Sequence, residues 1–187
     1  MSEKVISFIQ PSRNNLKYLK WSYNSIRKNL GYRHEICWAD DFSDDGTWEW
    51  MKEIMRKDNN VQIIRNDGPK RLGHTILYDS LVNIATNDIV MIYHADMYAC
   101  PNMDDEVLKH LKPGTVVSAT RIEPPLHPDG PEKILLDYGI EPEEFNEQDL
   151  LGWVDQYLEE TKDDEHDTTN GIFAPWAIYK DDFLSIG

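Results

Sequence analysis

Cysteine is scarce. Cys37 and Cys100 are the only two in 187 residues, too few for a disulfide framework, so both are read as reduced thiols. Long hydrophobic runs are missing. No apolar stretch reaches the ~20 residues that span a bilayer, and the opening MSEKVISFIQPS lacks the layout of a signal peptide, so a cytoplasmic location is the expectation. Basic residues are few, 19 Lys+Arg against 34 Asp+Glu, for a formal charge of -15. Such a surface repels nucleic acid and anionic lipid, which excludes polyanion partners. A small phosphorylated ligand then needs a cation, backbone N–H groups or one or two arginines close by. Phosphate-binding loops of the P-loop and Gly-x-Gly-x-x-Gly kinds are absent, as is the Gly-x-Ser-x-Gly elbow. His34-x-x-Cys37 has no second ligand pair at zinc spacing. His74, His110, His127 and His166 form no cluster by spacing. No internal repeat or low-complexity linker interrupts the chain.

What is present fits one globular domain. Hydrophobic residues make up 40% and charged residues 28%, with 6 Trp, 9 Tyr and 5 Phe, enough to build a core and to argue against disorder over the whole length. Strand and helix signals alternate. Lys4 to Ile9 reads as a buried strand closed by Pro11-Ser12-Arg13-Asn14. Leu16, Leu19, Tyr23, Ile26 and Leu30 give a helix that Gly31 stops. Glu35 to Ala39 is a second strand. Asp44-Asp45-Gly46-Thr47 offers cap chemistry for a helix from Trp48 to Lys57, and Trp48, Trp50, Met51 and Met55 read as its core side. Val61 to Arg65 is a third strand. Gly73 precedes a helix from His74 to Ala85 with Ile76, Leu77, Leu81 and Ile84 inward. Ile89 to Tyr93 is apolar without alternation, as a central strand covered on both faces should be. This order predicts an α/β fold with a mostly parallel sheet and helices on both sides. Ligands of such sheets bind beyond the carboxyl ends of the strands, where Asp40, Asp41, His94, Asp96 and the Pro11–Arg13 loop all fall. Thr115 to Arg121 reads as a further strand, Gln148 to Thr161 as an amphipathic helix and Ile172 to Tyr179 as a late strand. Residues 123–169 are otherwise rich in Pro, Asp and Glu.

Three short stretches carry possible chemistry. His94-Ala95-Asp96 reads either as a carboxylate site for Mg²⁺ or Mn²⁺ on a diphosphate or as an ordinary strand-end cap beside a packed histidine. Asp41 reads as an acceptor for a nucleobase N–H or a sugar hydroxyl, or as turn chemistry like its neighbours Asp44 to Thr47. Lys70 and Arg71 precede a helix N-terminus, where they would neutralise phosphate, or form a solvated basic pair.

The order of these stretches resembles the family 2 glycosyltransferases of the GT-A fold, which move sugars from nucleotide-diphosphate donors. The resemblance runs from a strand ending Pro-Ser-Arg-Asn, through Asp-Asp-x-Ser-x-Asp-Gly-Thr and Arg65-Asn66 leading to Gly73, to a strand ending Ala-Asp-Met followed by Pro101. It covers residues 4 to 103 and returns at "GIFAPWAIYKDDFLSIG", which is similar to the family's segment before Gly-Gly-Phe-Asp-Glu. The resemblance implies that Pro11, Ser12 and Arg13 cradle the nucleobase and ribose, that Asp41 contacts the base, that Lys70 and Arg71 contact the nucleotide, and that Asp96 is the last acid of the D-x-D motif and the ligand of a divalent Mn²⁺ or Mg²⁺. His94 replaces the first acid of that motif. The implied activity is an inverting, metal-dependent transfer of a sugar to a hydroxyl acceptor, with a UDP-sugar the expected donor and a glycan, lipid-linked or protein acceptor left open. Residues 1–103 would form the nucleotide-binding half and 104–187 an acceptor-side half. The catalytic base is expected beyond Gly187, which makes the chain a C-terminally incomplete piece of its parent; Asp155, Glu159 and Asp167 are acids in the right region with nothing to select one. The alternative is a catalytically silent module that retains nucleotide or glycan recognition.

Overall fold

The structure is a computed structural model that describes residues 5–126, 128–130, 132–162 and 171–186. Its frame is a six-stranded sheet in the order β3-β2-β1-β4-β8-β5. β1 (Ile6–Ser12), β2 (Glu35–Asp41), β3 (Val61–Asn66) and β4 (Ile89–Ile92) run parallel. β8 (Trp176–Tyr179) pairs antiparallel with β4, and β5 (Val117–Ser118) antiparallel with β8. The alternation of strand and helix forces the parallel half, because a crossover helix must intervene before the next strand can align. The first four strands and three helices lie where the sequence predicts them, within a few residues. β1 extends through Ser12, so Pro11 is inside the strand rather than beyond it.

The central strands are buried on both faces, and the side chains sort by parity. Phe8, Ile36, Trp38 and Met91 join one core with α1 (Leu16–Asn29), α2 (Thr47–Lys57) and α4 (Met103–His110). Ile9, Cys37, Ala39, Val90 and Ile92 pack instead against Leu77, Leu81 and Val82 of α3 (His74–Ile84). Period-two alternation makes this division unavoidable. α3 turns Ile76 outward, 50% exposed, and buries Val82 in its place. Met55 also faces solvent, whereas Met51 is fully buried. α1 ends at Asn29, with Leu30 extended, so Gly31 lies past the stop.

The second half departs more from expectation. The stretch read as one strand over Thr115 to Arg121 splits into β5 and β6 (Arg121–Glu123), and β6 pairs with β7 (Lys133–Leu135) in a separate two-stranded sheet. α5 (Glu147–Thr161) appears as predicted, capped by the Asn146 side chain. The late strand is confined to Trp176–Tyr179, and α6 (Lys180–Ser185) follows it.

Candidate active site

The carboxyl end of the parallel sheet is assembled by hydrogen bonds from distant loops. Asp41 closes β2 with its carboxylate on the α3 side. Its Oδ1 accepts from Asn66 Nδ2 at 2.7 Å and the Leu72 N–H at 3.0 Å, and its Oδ2 accepts from the Gly73 N–H at 3.2 Å. Burial pushes the Asp41 carboxyl up, but these donors and nearby Arg71 outweigh it and hold it below the usual carboxylate range. Arg71 Nε lies 3.8 Å from Oδ2. Asp41 therefore fastens the loop before α3. A carboxylate offers about four lone-pair positions, so one on Oδ2 is left for another donor.

That loop delivers α3 to the end of β4. His74, the first residue of α3, has its ring centroid 6.2 Å from that of His94. His94 continues the parity of Val90 and Ile92, so its ring faces α3. The His94 carbonyl accepts from Gln10 Nε2, which ties the turn after β4 to β1. Asp96 is exposed and close enough to act electrostatically on both His94 and Tyr78 of α3. Burial lowers the proton affinity of His94, His74 and Arg121 lower it further, and Asp96 opposes them; the net direction is down, so the imidazole is neutral at neutral pH.

The expected residues fall on one edge but not on one surface. Asp41, His94, Asp96 and the start of α3 share the α3 side. Ser12 and Asp40 are register partners on the opposite face, where Asp40 pairs with Arg65 at 3.2 Å. Ser12 Oγ and Asp40 Oδ1 are buried without a hydrogen-bond partner among the described residues. Pro11 is buried, while Arg13, Lys70 and Arg71 are exposed. His74 had no sequence signal, since its partner lies twenty residues further on; only the fold brings the two rings together. His127, His166 and Asp167 lie outside the described residues.

A cavity of about 390 Å³ opens beside His94 and Asp96. Arg121 lines it, paired with Glu123 at 3.2 Å and Glu132 at 3.1 Å. Trp21, Tyr98 and Phe145 also line it and pack as a triad with centroids 4.8 to 5.4 Å apart. The segment bearing Phe145 is strapped to α1, where Tyr18 donates to Glu141 at 2.6 Å and Lys28 meets Glu147 at 2.7 Å.

No three His, Cys, Asp or Glu side chains converge on a preformed metal site among the described residues. The donor set still fits Mg²⁺ or Mn²⁺, because such ions are commonly held by one or two protein ligands with phosphate and water completing the shell. Asp96, exposed and free of any hydrogen bond shown among the described residues, is suited to that role.

A parallel sheet with this strand order, an antiparallel return strand and a carboxylate-bearing turn after β4 is the GT-A glycosyltransferase architecture. The family model for glycosyl transferase family 2 matches residues 7–176, and the chain belongs to that family. Solved structures agree in fold. Residues 1–349 of TarS from S. aureus match with a TM-score of 0.55 and 19% identity, over 68% of this chain and 38% of that one. The same fragment with UDP-GlcNAc gives 0.57 and 18%, over 67% and 37%. The mannosyltransferase PcManGT from Pyrobaculum calidifontis, solved with GDP-Man and Mn²⁺, gives 0.53 and 20%, over 62% and 35%. The chain thus spans 35 to 38% of the length of these structures. Among the described residues no helix is long and apolar enough to cross a membrane.

Proposed function

We propose that this chain forms the donor-binding part of an inverting glycosyltransferase that moves a sugar from a nucleotide-diphosphate donor, with a UDP-sugar the first choice, to a hydroxyl acceptor. The observation that carries this reading is the continuous edge from Asp41 through Leu72 and Gly73 to His74, His94 and Asp96, with a cavity next to it. Asp41 holds the loop that presents the first N–H groups of α3, whose positive end favours a diphosphate. Lys70, Arg71 and Arg13 are exposed cations on the flanking loops that would contact the nucleotide, and Pro11 and Ser12 would lie beneath base and ribose. Asp96 would hold a Mg²⁺ or Mn²⁺ against the diphosphate, where such an ion offsets charge on the departing nucleoside diphosphate. The cavity would take the acceptor, whose hydroxyl attacks the anomeric carbon from the side opposite the leaving group while a carboxylate accepts its proton. In this division residues 1–103 serve the donor and 104–187 the acceptor.

Calorimetric titration of UDP and GDP, with and without Mn²⁺, on wild type and Asp96→Ala tests the proposal. One nucleotide should bind with metal-enhanced affinity, and Asp96→Ala should remove the enhancement. Failure of both nucleotides to bind would refute it. A second reading, a module that binds nucleotide without transfer, draws support from His94 standing where the family motif has an acid. Release of UDP or GDP from the matching nucleotide sugar in the presence of simple sugar acceptors distinguishes the two.

A further inference from the structure

We propose that the cavity beside His94 and Asp96 selects, as the acceptor, an uncharged alcohol with an apolar, ring-sized body rather than a sugar or an anionic lipid. This inference rests on the function proposed above and names the acceptor class of that site. The cavity, about 390 Å³, falls within the ~300–1,000 Å³ of small-molecule sites. Apolar side chains dominate its lining, among them Trp21, Met97, Met103, Leu136 and Phe145. Several of the polar ones are spent on partners in the protein. Tyr18 donates to Glu141, and Tyr98 donates to Glu147 and accepts from Asn29. A sugar would bring a hydroxyl on almost every carbon against this wall, and each one left unpaired costs free energy.

The charge of the lining disfavours an anion. Among the described residues Arg121 is its only Lys or Arg, and that guanidinium is already paired with Glu123 and Glu132. Asp96, Glu123 and Glu141 line the same cavity, so a phosphate would meet net negative charge. One buried group lacks a neutral partner. Tyr93 lines the cavity and is 1% exposed, and its hydroxyl has no hydrogen-bond partner among the described residues, whereas buried polar groups are normally satisfied. Burial, and after it Cys100, Asp96 and Tyr98, push the Tyr93 hydroxyl's pKa up, so it stays protonated. Those three residues also line the cavity. The acceptor's own hydroxyl would pair with Tyr93 there, with its apolar body against Trp21 and Phe145. In the transfer the acceptor oxygen bonds to the anomeric carbon. The bond from that carbon to the diphosphate breaks, its electron pair leaves on the nucleoside diphosphate, and the hydroxyl proton passes to a carboxylate.

The full chain is titrated with 2-naphthol, with methyl glucoside and with 2-naphthyl phosphate, and separately with UDP and GDP in Mn²⁺. The expected result is that 2-naphthol binds about tenfold tighter than the glucoside or the phosphate. Tyr93→Phe keeps the ring and removes only the unpartnered hydroxyl. It should weaken 2-naphthol about fivefold and leave naphthalene, which has no hydroxyl, unchanged. Nucleotide binding without 2-naphthol binding, or with the glucoside or the phosphate bound as tightly, overturns this inference and leaves the proposed function standing. A Tyr93→Phe effect that is absent, or equal for 2-naphthol and naphthalene, overturns it as well. Failure of both nucleotides to bind refutes the proposed function, and the acceptor role of the cavity with it.

Discussion

At the scale of single residues, Asp41 shows how a candidate ligand contact can also be a structural clasp. Asp41→Asn keeps the shape but turns an NH₂ group toward N–H donors. It should destabilise the protein by about 1–3 kcal/mol and weaken nucleotide binding about tenfold, because the start of α3 is no longer fixed; melting and calorimetry together check this. A cleaner electrostatic case lies far from the site. Asp58 Oδ2 accepts from Arg27 Nε at 2.7 Å and the Tyr23 hydroxyl at 3.0 Å, while Oδ1 accepts from Arg33 Nη2 at 3.0 Å and the Asn60 N–H at 3.1 Å. Burial pushes this carboxyl up, but the Asn60 N–H and the two arginines win and lower it to about 2. A depressed carboxyl stabilises the fold above its unfolded pKa of 3.8 and loses that contribution as pH falls toward 2. Wild type should exceed Asp58→Asn by about 2 kcal/mol at neutral pH, and urea melts should show the gap closing between pH 4 and pH 2. The sequence marks Asp41 as a strand-end carboxylate. It is silent on the three donors that occupy it, since they come from residues 25 to 32 positions later.

At the scale of elements, one side chain can start two helices. Asp45 Oδ1 accepts from the Thr47 N–H and hydroxyl at the head of α2, and Oδ2 accepts from the Leu16 N–H at the head of α1. Asp45→Ala should therefore cost more than an ordinary cap, about 2 kcal/mol, readable as a lower denaturation midpoint with an unchanged slope. Cap chemistry at residues 44 to 47 is visible in the sequence; the second helix it serves is not. Elements with long apolar periodicity are the ones that sequence reading places well. α4 escaped because its eight residues, MDDEVLKH, offer only Val107 and Leu108 to the core as buried apolar side chains. The break between β5 and β6 was equally hidden. There the Ala119 N–H donates to the Pro175 carbonyl, a partner 56 positions away that ends one ladder before Arg121 starts another.

At the scale of the whole molecule, the residues before and after position 103 share one sheet and one core. β4 is flanked by β1 on one side and by β8 on the other, with Ile89 to Ile92 facing Tyr179 to Trp176. Ala177 sits fully buried in the same cluster as Phe8, Trp38 and Met91. His34 reinforces the union from the opposite edge: its Nδ1 accepts from the Ile6 N–H at 3.0 Å, leaving Nε2–H to donate to Asp104 of α4 at 2.8 Å, both side chains fully buried. Cutting the chain to residues 1–112 would keep every residue proposed here to bind nucleotide, yet it would strip β8 from β4. The exposed strand IVMI is apolar and unprotected, the kind of edge that templates aggregation, and the lost Ala177 and Ile178 contacts leave voids on both faces of the sheet. The fragment should therefore elute as an aggregate and lack a cooperative thermal transition, even though it holds Asp41, His94 and Asp96. A monomeric fragment melting within a few degrees of the full chain would show that β8 adds little to the sheet. The two parts of the chain would then be separable in folding.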